Sequence, residues 1–282
     1  MSSDEDRLTS VYNLMRRMPP AQTMKSLAGV MELCPDLSEE ILANVDQPLL
    51  TLTDPKTGKD FILCDYNRDG DAYRSPWSNA FYFPDGEAGE GFVLPANLRA
   101  LEVEANRIFD VYRHLYYDTG ISSVYFFESS ESESDFGAAF LVKKDVAASK
   151  TLRKGRWEST HIFKVSPTAT AGEFEYTLTS TVIISMNLAE AATGDVDLSG
   201  SMTQQTTKVR GTDKFTGHIA NMGTMLENME FALRNQIEAI YIQKTREVLS
   251  GARSSTGARD AAWAEIAQSL RGKDLSTLNK SK

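Results

Sequence analysis

The chain has 282 residues, 41% hydrophobic and 24% charged, with 39 acidic against 30 basic side chains and a net charge of -9. That length and composition give ample apolar material for a buried core and exclude disorder of the whole chain. The acidic balance argues against nucleic acid as the main partner, because a phosphate backbone requires clustered Lys and Arg.

No apolar stretch reaches the roughly 18 to 20 residues of a membrane helix, and MSSDEDRLTS does not read as a leader peptide, so a cytoplasmic protein without a transmembrane segment is expected. The two cysteines, Cys34 and Cys64, sit in apolar runs (MELC, FILC) and read as reduced, enclosed thiols. Charge is unevenly placed. From Arg253 to Lys282 six basic residues face three acidic ones, so this tail is +3 and the remainder -12.

Residues 1–50 predict three short helices. Leu8, Val11, Met15 and Met18 share one face before Pro19 and Pro20. Met24, Leu27, Met31 and Cys34 share another before Pro35, and Ser38 is placed to cap a third in which Ile41, Leu42 and Val45 share a side. Each is too short to be stable alone, so together they read as a helical stalk. Residues 51–97 form a turn-rich connector, with motifs such as DPKTGKD, NRDGD and PDGEAGEG.

A helix follows in which Leu98, Leu101, Ala105, Ile108, Tyr112 and Leu115 step by three and four, with Gly120 at the expected left-handed stop. The period then changes to two. Phe174, Tyr176, Leu178, Val182, Ile184 and Met186 face one way while Glu175, Thr177, Thr179 and Thr181 face the other. Weaker patterns at 122–127, 137–143, 156–165 and 196–209 complete a five-stranded antiparallel meander with one apolar face. Ile219, Met222, Leu226, Met229, Leu233, Ile237, Ile240 and Val248 then mark a covering helix of some thirty residues, about 45 Å long, over a sheet only about 20–25 Å wide. A partner chain that extends the sheet and shares the helix accounts for the overhang. The fold class is α+β. Residues 98–252 hold the helix, sheet and covering helix, and 253–282 a linker and an amphipathic tail.

Chemical motifs are sparse. Asp65-Tyr66-Asn67-Arg68-Asp69-Gly70-Asp71 opens like a calcium loop, but Pro76 occupies the position of the required bidentate Glu. A structural turn is expected, with Arg68 and Arg74 paired to its carboxylates. His114, His161 and His218 show no metal spacing, phosphate-loop and nucleophile-elbow motifs are absent, and no cofactor is expected. Glu128 to Asp135 (ESSESESD) reads as a solvated acidic hairpin tip. The tail differs, because an amphipathic helix beyond a linker either folds back onto the core or, as a basic segment carrying Trp263, Ile266 and Leu270 on one side, docks into an acidic partner's groove.

Several segments resemble the F-actin capping protein beta-subunit family: VDQPL at 45–49, GKDFILCDYNRDGDAYRSPWSN at 58–79, LRALEVEANRIFDVYRHLYYDTGISSVYFF at 98–127, YTLTSTV at 176–182, and HIANMGTMLENMEFALRNQIEAIYIQKTREVLSG at 218–251. The resemblance implies an obligate heterodimer with a similarly folded alpha subunit. It implies a non-enzymatic, calcium-independent protein of the actin cytoskeleton that binds filament barbed ends and blocks subunit addition and loss. It implies actin contact by the tail helix at Trp263, Ile266, Ala267 and Leu270, with Arg259 and Arg271 on the same segment, and by Arg234 near the end of the covering helix. Phosphoinositides and regulators of the CARMIL or myotrophin type complete the implied partner set. Ala232 stands where the family pattern has a Lys, which implies a weaker basic patch. A scaffold subunit capping an actin-related filament in a dynactin-like complex is the alternative, and an enzyme is disfavoured because no acid, base and nucleophile group together.

Overall fold

The computed structural model describes residues 4–15, 22–44, 48–129, 135–147, 154–190, 194–212, 214 and 216–243. The chain forms two compact units, Met1–Glu230 and Phe231–Lys282.

Three helices open the first unit, α1 (Asp4–Met15), α2 (Thr23–Leu33) and α3 (Ser38–Asn44). They bury Val11, Leu27, Val30, Leu37 and Ile41 in a common cluster, and Arg7 ties α1 to the following turn through two bonds to Asp36 at 2.6 and 3.0 Å. Two expectations need correcting. Ser38 is not a cap: Pro35–Leu37 form a 3-10 turn that runs into α3, and Ser38 already has helical backbone angles. Met24 and Leu42 are exposed, because Leu27, Val30 and Ile41 occupy the small interior. Met18 and Val45 lie outside the described residues.

The connector folds into two small antiparallel sheets. β1 (Leu50–Thr53) pairs with β2 (Asp60–Leu63), and β3 (Arg68–Asp69), β4 (Ala72–Arg74), β5 (Phe81–Tyr82) and β6 (Ala88–Gly89) form a four-stranded meander. The Asp65–Asp71 loop is a structural turn with Gly70 at φ 56°, but its arginines do not pair with its carboxylates. Arg68 Nε donates to the Gly70 carbonyl at 2.7 Å. Arg74 turns inward and makes a fork of 2.6 and 2.7 Å bonds to Glu102, with both side chains fully buried.

α4 (Ala96–Tyr117) forms as expected but is rolled relative to its apolar stripe. Its buried residues are Leu98, Leu101, Glu102, Ala105, Asn106, Phe109 and Tyr117, whereas Ile108 and Leu115 are 43% and 72% exposed. Glu102 and Asn106 bond to the neighbouring strand, and these directional bonds decide the roll. Asp118, not Gly120, takes the positive φ after the helix, at 49°.

The main sheet is β7 (Ile121–Glu128), β8 (Phe136–Val146), β9 (Lys154–Pro167), β10 (Glu173–Glu190) and β11 (Gly194–Gly211), an antiparallel meander in the order β11-β10-β9-β8-β7. On β10 the inward residues Tyr176, Leu178, Val182 and Ile184 are buried as the alternation predicts, joined by Ser180. The expectation of a single apolar face fails for β7 and β8. There the far face is covered as well, by a cluster in which Tyr125, Ala139 and Leu141 meet Ile62, with Leu49, Cys64 and Tyr66 at its margin. On β10 and β11 the far face is polar, with Thr177 bonded to Thr207 at 3.0 Å and Thr181 to Thr203 at 2.9 Å. At the β7–β8 turn Ser129 N–H donates to the Asp135 carbonyl, and residues 130–134 lie outside the described part. α5 (Gly217–Ile237) closes the near face with Ile219, Met222, Met225, Leu226 and Met229 buried, and a π-helical turn (Glu238–Gln243) follows it.

Candidate assembly surface

The two edges of the main sheet are treated differently. At β7 three backbone groups in the middle of the strand are occupied by side chains of α4. Asn106 Oδ1 accepts from Val124 N–H at 2.9 Å, Asn106 Nδ2 donates to Val124 C=O at 2.8 Å, and Glu102 Oε2 accepts from Phe126 N–H at 2.8 Å. A carboxamide offers one donor and one acceptor side by side, so Asn106 reproduces the pair of bonds a neighbouring strand would make. Glu102 also receives Arg74 and Arg99, so a cation compensates the buried anion.

At β11 the one such bond seen among the described residues is at the strand's end, where Asn221 Nδ2 of α5 donates to the Gly211 carbonyl at 3.3 Å. This strand runs for 18 residues, pairs among the described strands with β10 alone, and has Lys208 and Arg210 exposed near one end. A long open edge of this kind is a template for another strand, and a stable monomer would blunt or cover it. The sheet can therefore grow on one side.

Above the sheet α5 is held by directional contacts at two points. Near its start His218 is buried against Phe136 and Phe174, and its Nδ1 lies 2.6 Å from the Tyr176 hydroxyl. Burial pushes the His218 imidazolium below its usual range. Further along, Glu230 accepts Ser159 Oγ at 3.1 Å and His161 Nε2 at 2.9 Å on one oxygen. Its other oxygen accepts the Tyr117 hydroxyl and the Tyr112 hydroxyl, the latter at 3.3 Å. The other ring nitrogen of His161, Nδ1, lies 2.8 Å from Ser180 Oγ. Two of the three histidines are thus structural, as their spacing suggested, and His114 is exposed on α4.

Of the predicted contact residues, Arg234 lies on α5, half-buried, while Arg259, Trp263, Ile266, Ala267, Leu270 and Arg271 lie outside the described residues. Sequence reasoning missed Glu102, Asn106 and Glu230. The available signal for the first two was a carboxylate and a carboxamide four residues apart on the same helix face as Leu98 and Ala105. Among the described residues no group of three or more His, Cys, Asp or Glu side chains could hold a metal, and no helix is long and apolar enough to cross a membrane. Burial pushes the Cys64 thiol up to about 12, which makes it unsuited to nucleophilic chemistry.

Comparison with known proteins agrees with this geometry. The family profile described as F-actin capping protein, beta subunit, matches residues 8–249. The chain is 41% identical over 256 residues to the F-actin-capping protein subunit beta of Drosophila melanogaster, covering 91% of this chain and 90% of that one. It is 41% identical over 256 residues to the Dictyostelium discoideum protein of the same name, covering 90% and 91%. The Gibberella zeae protein of that name is 39% identical over 284 residues, covering 94% and 99%. Among solved structures, the homodimeric actin capping protein alpha subunit from Plasmodium berghei superposes with a TM-score of 0.55 at 15% identity, covering 89% of this chain and 96% of that one. That likeness concerns the fold.

Proposed function

This chain belongs to the F-actin capping protein beta-subunit family, and from that membership we propose how its surfaces divide the work of closing a filament end. It is the non-enzymatic beta subunit of an actin capping protein, which caps barbed ends, and its partners are an alpha subunit and the actin barbed end. In our reading the edge of β11 receives the alpha subunit's sheet, because the middle of the other edge is already capped by Asn106 and Glu102. That asymmetry is the observation on which the reading stands. The joined sheet then forms one platform, and the subunit pair sits on the last actin protomers so that neither addition nor loss can proceed.

Contact with the filament is assigned to Arg234 and to the tail segment 253–282. Burial of Trp263, Ile266 and Leu270 at about 2 kcal/mol each, less an ordering cost of about 2 kcal/mol or more, leaves enough to tighten binding by roughly a thousandfold. Ala267 lies on the same face, and Arg259 and Arg271 supply charge for an acidic actin groove. Phosphoinositide headgroups would compete for Arg234, and regulators of the CARMIL or myotrophin type would act on the assembled pair in the cytoplasmic actin cytoskeleton. The test is barbed-end elongation followed in the presence of nanomolar 1:1 complex of this chain with its alpha subunit. Elongation falls to the level of blocked ends if the reading is right, and undiminished elongation overturns it.

A further inference from the structure

We propose that the β1–β2 hairpin is fastened to the far face of the main sheet by a fixed anchor at Ile62 and a pH-sensitive latch at Leu49, where Lys143 and Glu158 hold the backbone of the chain arriving from the helical stalk. The inference goes beyond the end-capping reading and does not depend on it. Two pairs of side chains on that face each grip one backbone unit. At Ile62 the N–H donates to Ser123 Oγ at 2.9 Å and the C=O accepts from the Tyr125 hydroxyl at 2.7 Å. At Leu49 the N–H donates to the Glu158 carboxylate and the C=O accepts from Lys143 Nζ. The Leu49 side chain packs at the margin of the cluster formed by Ile62, Tyr125, Ala139 and Leu141, so both grips serve one docked segment.

The two grips differ in chemistry. Ser123 and Tyr125 are uncharged and fully buried, and burial pushes the Tyr125 phenol well above its ordinary range, so the grip on Ile62 does not change around neutral pH. Lys143 and Glu158 bring charge into a place with little water, their side chains being 11% and 2% exposed. The carboxylate is incompletely served there. Its Oε1 is buried without a hydrogen-bond partner among the described residues, and Lys143 Nζ and Arg156 Nε stand 3.5 and 3.7 Å away, beyond a well-formed bond. Arg156 is shared with Asp145 at 2.6 Å. These are the charged groups that face Glu158. Its neighbour on β10 is Ile183, and Asp46, earlier in the arriving chain, lies outside the described residues.

Loss of water outweighs the two cations and the Leu49 N–H, so the Glu158 carboxyl is held above its ordinary 4.5. When Leu49 lets go, water reaches the carboxyl and its proton affinity returns toward that ordinary value. The latched state therefore binds a proton more readily than the released one, and acidification favours the latch. Protonation removes a buried charge and keeps an oxygen to accept from the Leu49 N–H. Its contribution is fully present below about 4.5 and is lost as pH rises through the higher latched value. An exposed ion pair would respond in the opposite sense, weakening in acid. Release at Leu49 detaches the start of the hairpin, while Ile62 keeps its second strand on the sheet.

The test is amide hydrogen exchange of the full chain in 1:1 complex with its alpha subunit, from about pH 8 to about pH 5. The readout is the protection factor of Leu49 divided by that of Ile62, each corrected for intrinsic exchange, a ratio in which changes of global stability cancel. In the wild type the ratio is expected to rise by about threefold or more on acidification, each unit of pKa difference being worth about tenfold. In Glu158→Gln it is expected to be independent of pH. In Arg156→Gln, which touches neither bond to Leu49, the rise is expected at higher pH because one opposing cation is gone. Lys143→Met is expected to lower the ratio about tenfold at the alkaline end, by loss of the bond to the Leu49 carbonyl. A wild-type ratio that stays flat or falls on acidification overturns the proposal, as does a rise that survives in Glu158→Gln or a ratio unchanged in Lys143→Met. Should Glu158→Gln fail to assemble, Arg156→Gln decides, and an unshifted rise there overturns the latch.

Discussion

The Asn106 carboxamide makes to Val124 both of the backbone hydrogen bonds, at 2.9 and 2.8 Å, that an adjacent strand would make. A helix side chain thus stands in for a sixth strand. The consequence reaches beyond local stability, because capping the middle of one edge leaves the opposite one, the 18-residue β11, as the longer site for extension among the described strands.

Asn106→Ala removes a donor and an acceptor from buried partners, leaving Val124 N–H and C=O unsatisfied. At about 1–3 kcal/mol for each abandoned group, a loss of roughly 2–6 kcal/mol is expected. Denaturant unfolding of the complex measures it, and a loss below about 0.5 kcal/mol would contradict the edge assignment.

Glu102 carries the charge that neutralises fully buried Arg74. Glu102→Gln leaves that guanidinium uncompensated in the interior, with an expected cost of about 3–5 kcal/mol. The Glu104–Arg107 pair one turn along lies at the surface, and Glu104→Gln should leave the midpoint unmoved. Equal effects of the two substitutions in thermal melts would show that burial is not the cause.

Acid should weaken the fold in two stages. His218 has its affinity for a proton lowered by burial, so the unfolded chain, at about 6.5, binds the proton more readily than the folded one. Stability therefore falls as the pH drops below about 6.5, and His218→Gln should flatten that stage. Burial pushes Asp54 up, but hydrogen bonds from Ser75, Ser78, the Lys56 N–H and Tyr82 outweigh it and hold the carboxyl well below its usual range. Its contribution is present above about 3.8 and is lost as pH falls through the lower folded value, a stage that Asp54→Asn should remove. Unfolding midpoints from pH 8 to 2 check both, and a stage that survives its own substitution would contradict the assignment.

Truncation after Gly251 should leave the subunit pair intact while weakening capping, and Trp263→Ser with Leu270→Ser should reproduce most of the loss, up to the roughly thousandfold available from burial. Dissociation from capped ends reports it. An unchanged rate in the double variant would show that the tail packs elsewhere.

Much of the fold was legible because strand alternation and helix period survive in single residues. Tyr176, Leu178, Val182 and Ile184 on β10, and Ile219, Met222, Leu226 and Met229 on α5, are buried where their spacing placed them. The reading failed where polar atoms decide geometry. On α4 the apolar Ile108 and Leu115 face outward because Glu102 and Asn106 turn inward to meet backbone groups of β7, and periodicity counts only apolar residues. The double burial of β8 had a trace in the unbroken run Phe136 to Val142, which is how a strand covered on both faces reads. Glu230 left no trace, since its four donors come from residues 69 to 118 positions away.

Backbone amide exchange at the two sheet edges, measured for the chain alone and with its alpha subunit, tests the central claim most directly. Val124 and Phe126 should exchange slowly in both states, and the outward amides of β11 from Gln205 to Arg210 should exchange freely alone and slow by at least a hundredfold in the complex. Protection gained at β7, or none gained at β11 in a complex that has formed, would contradict the account.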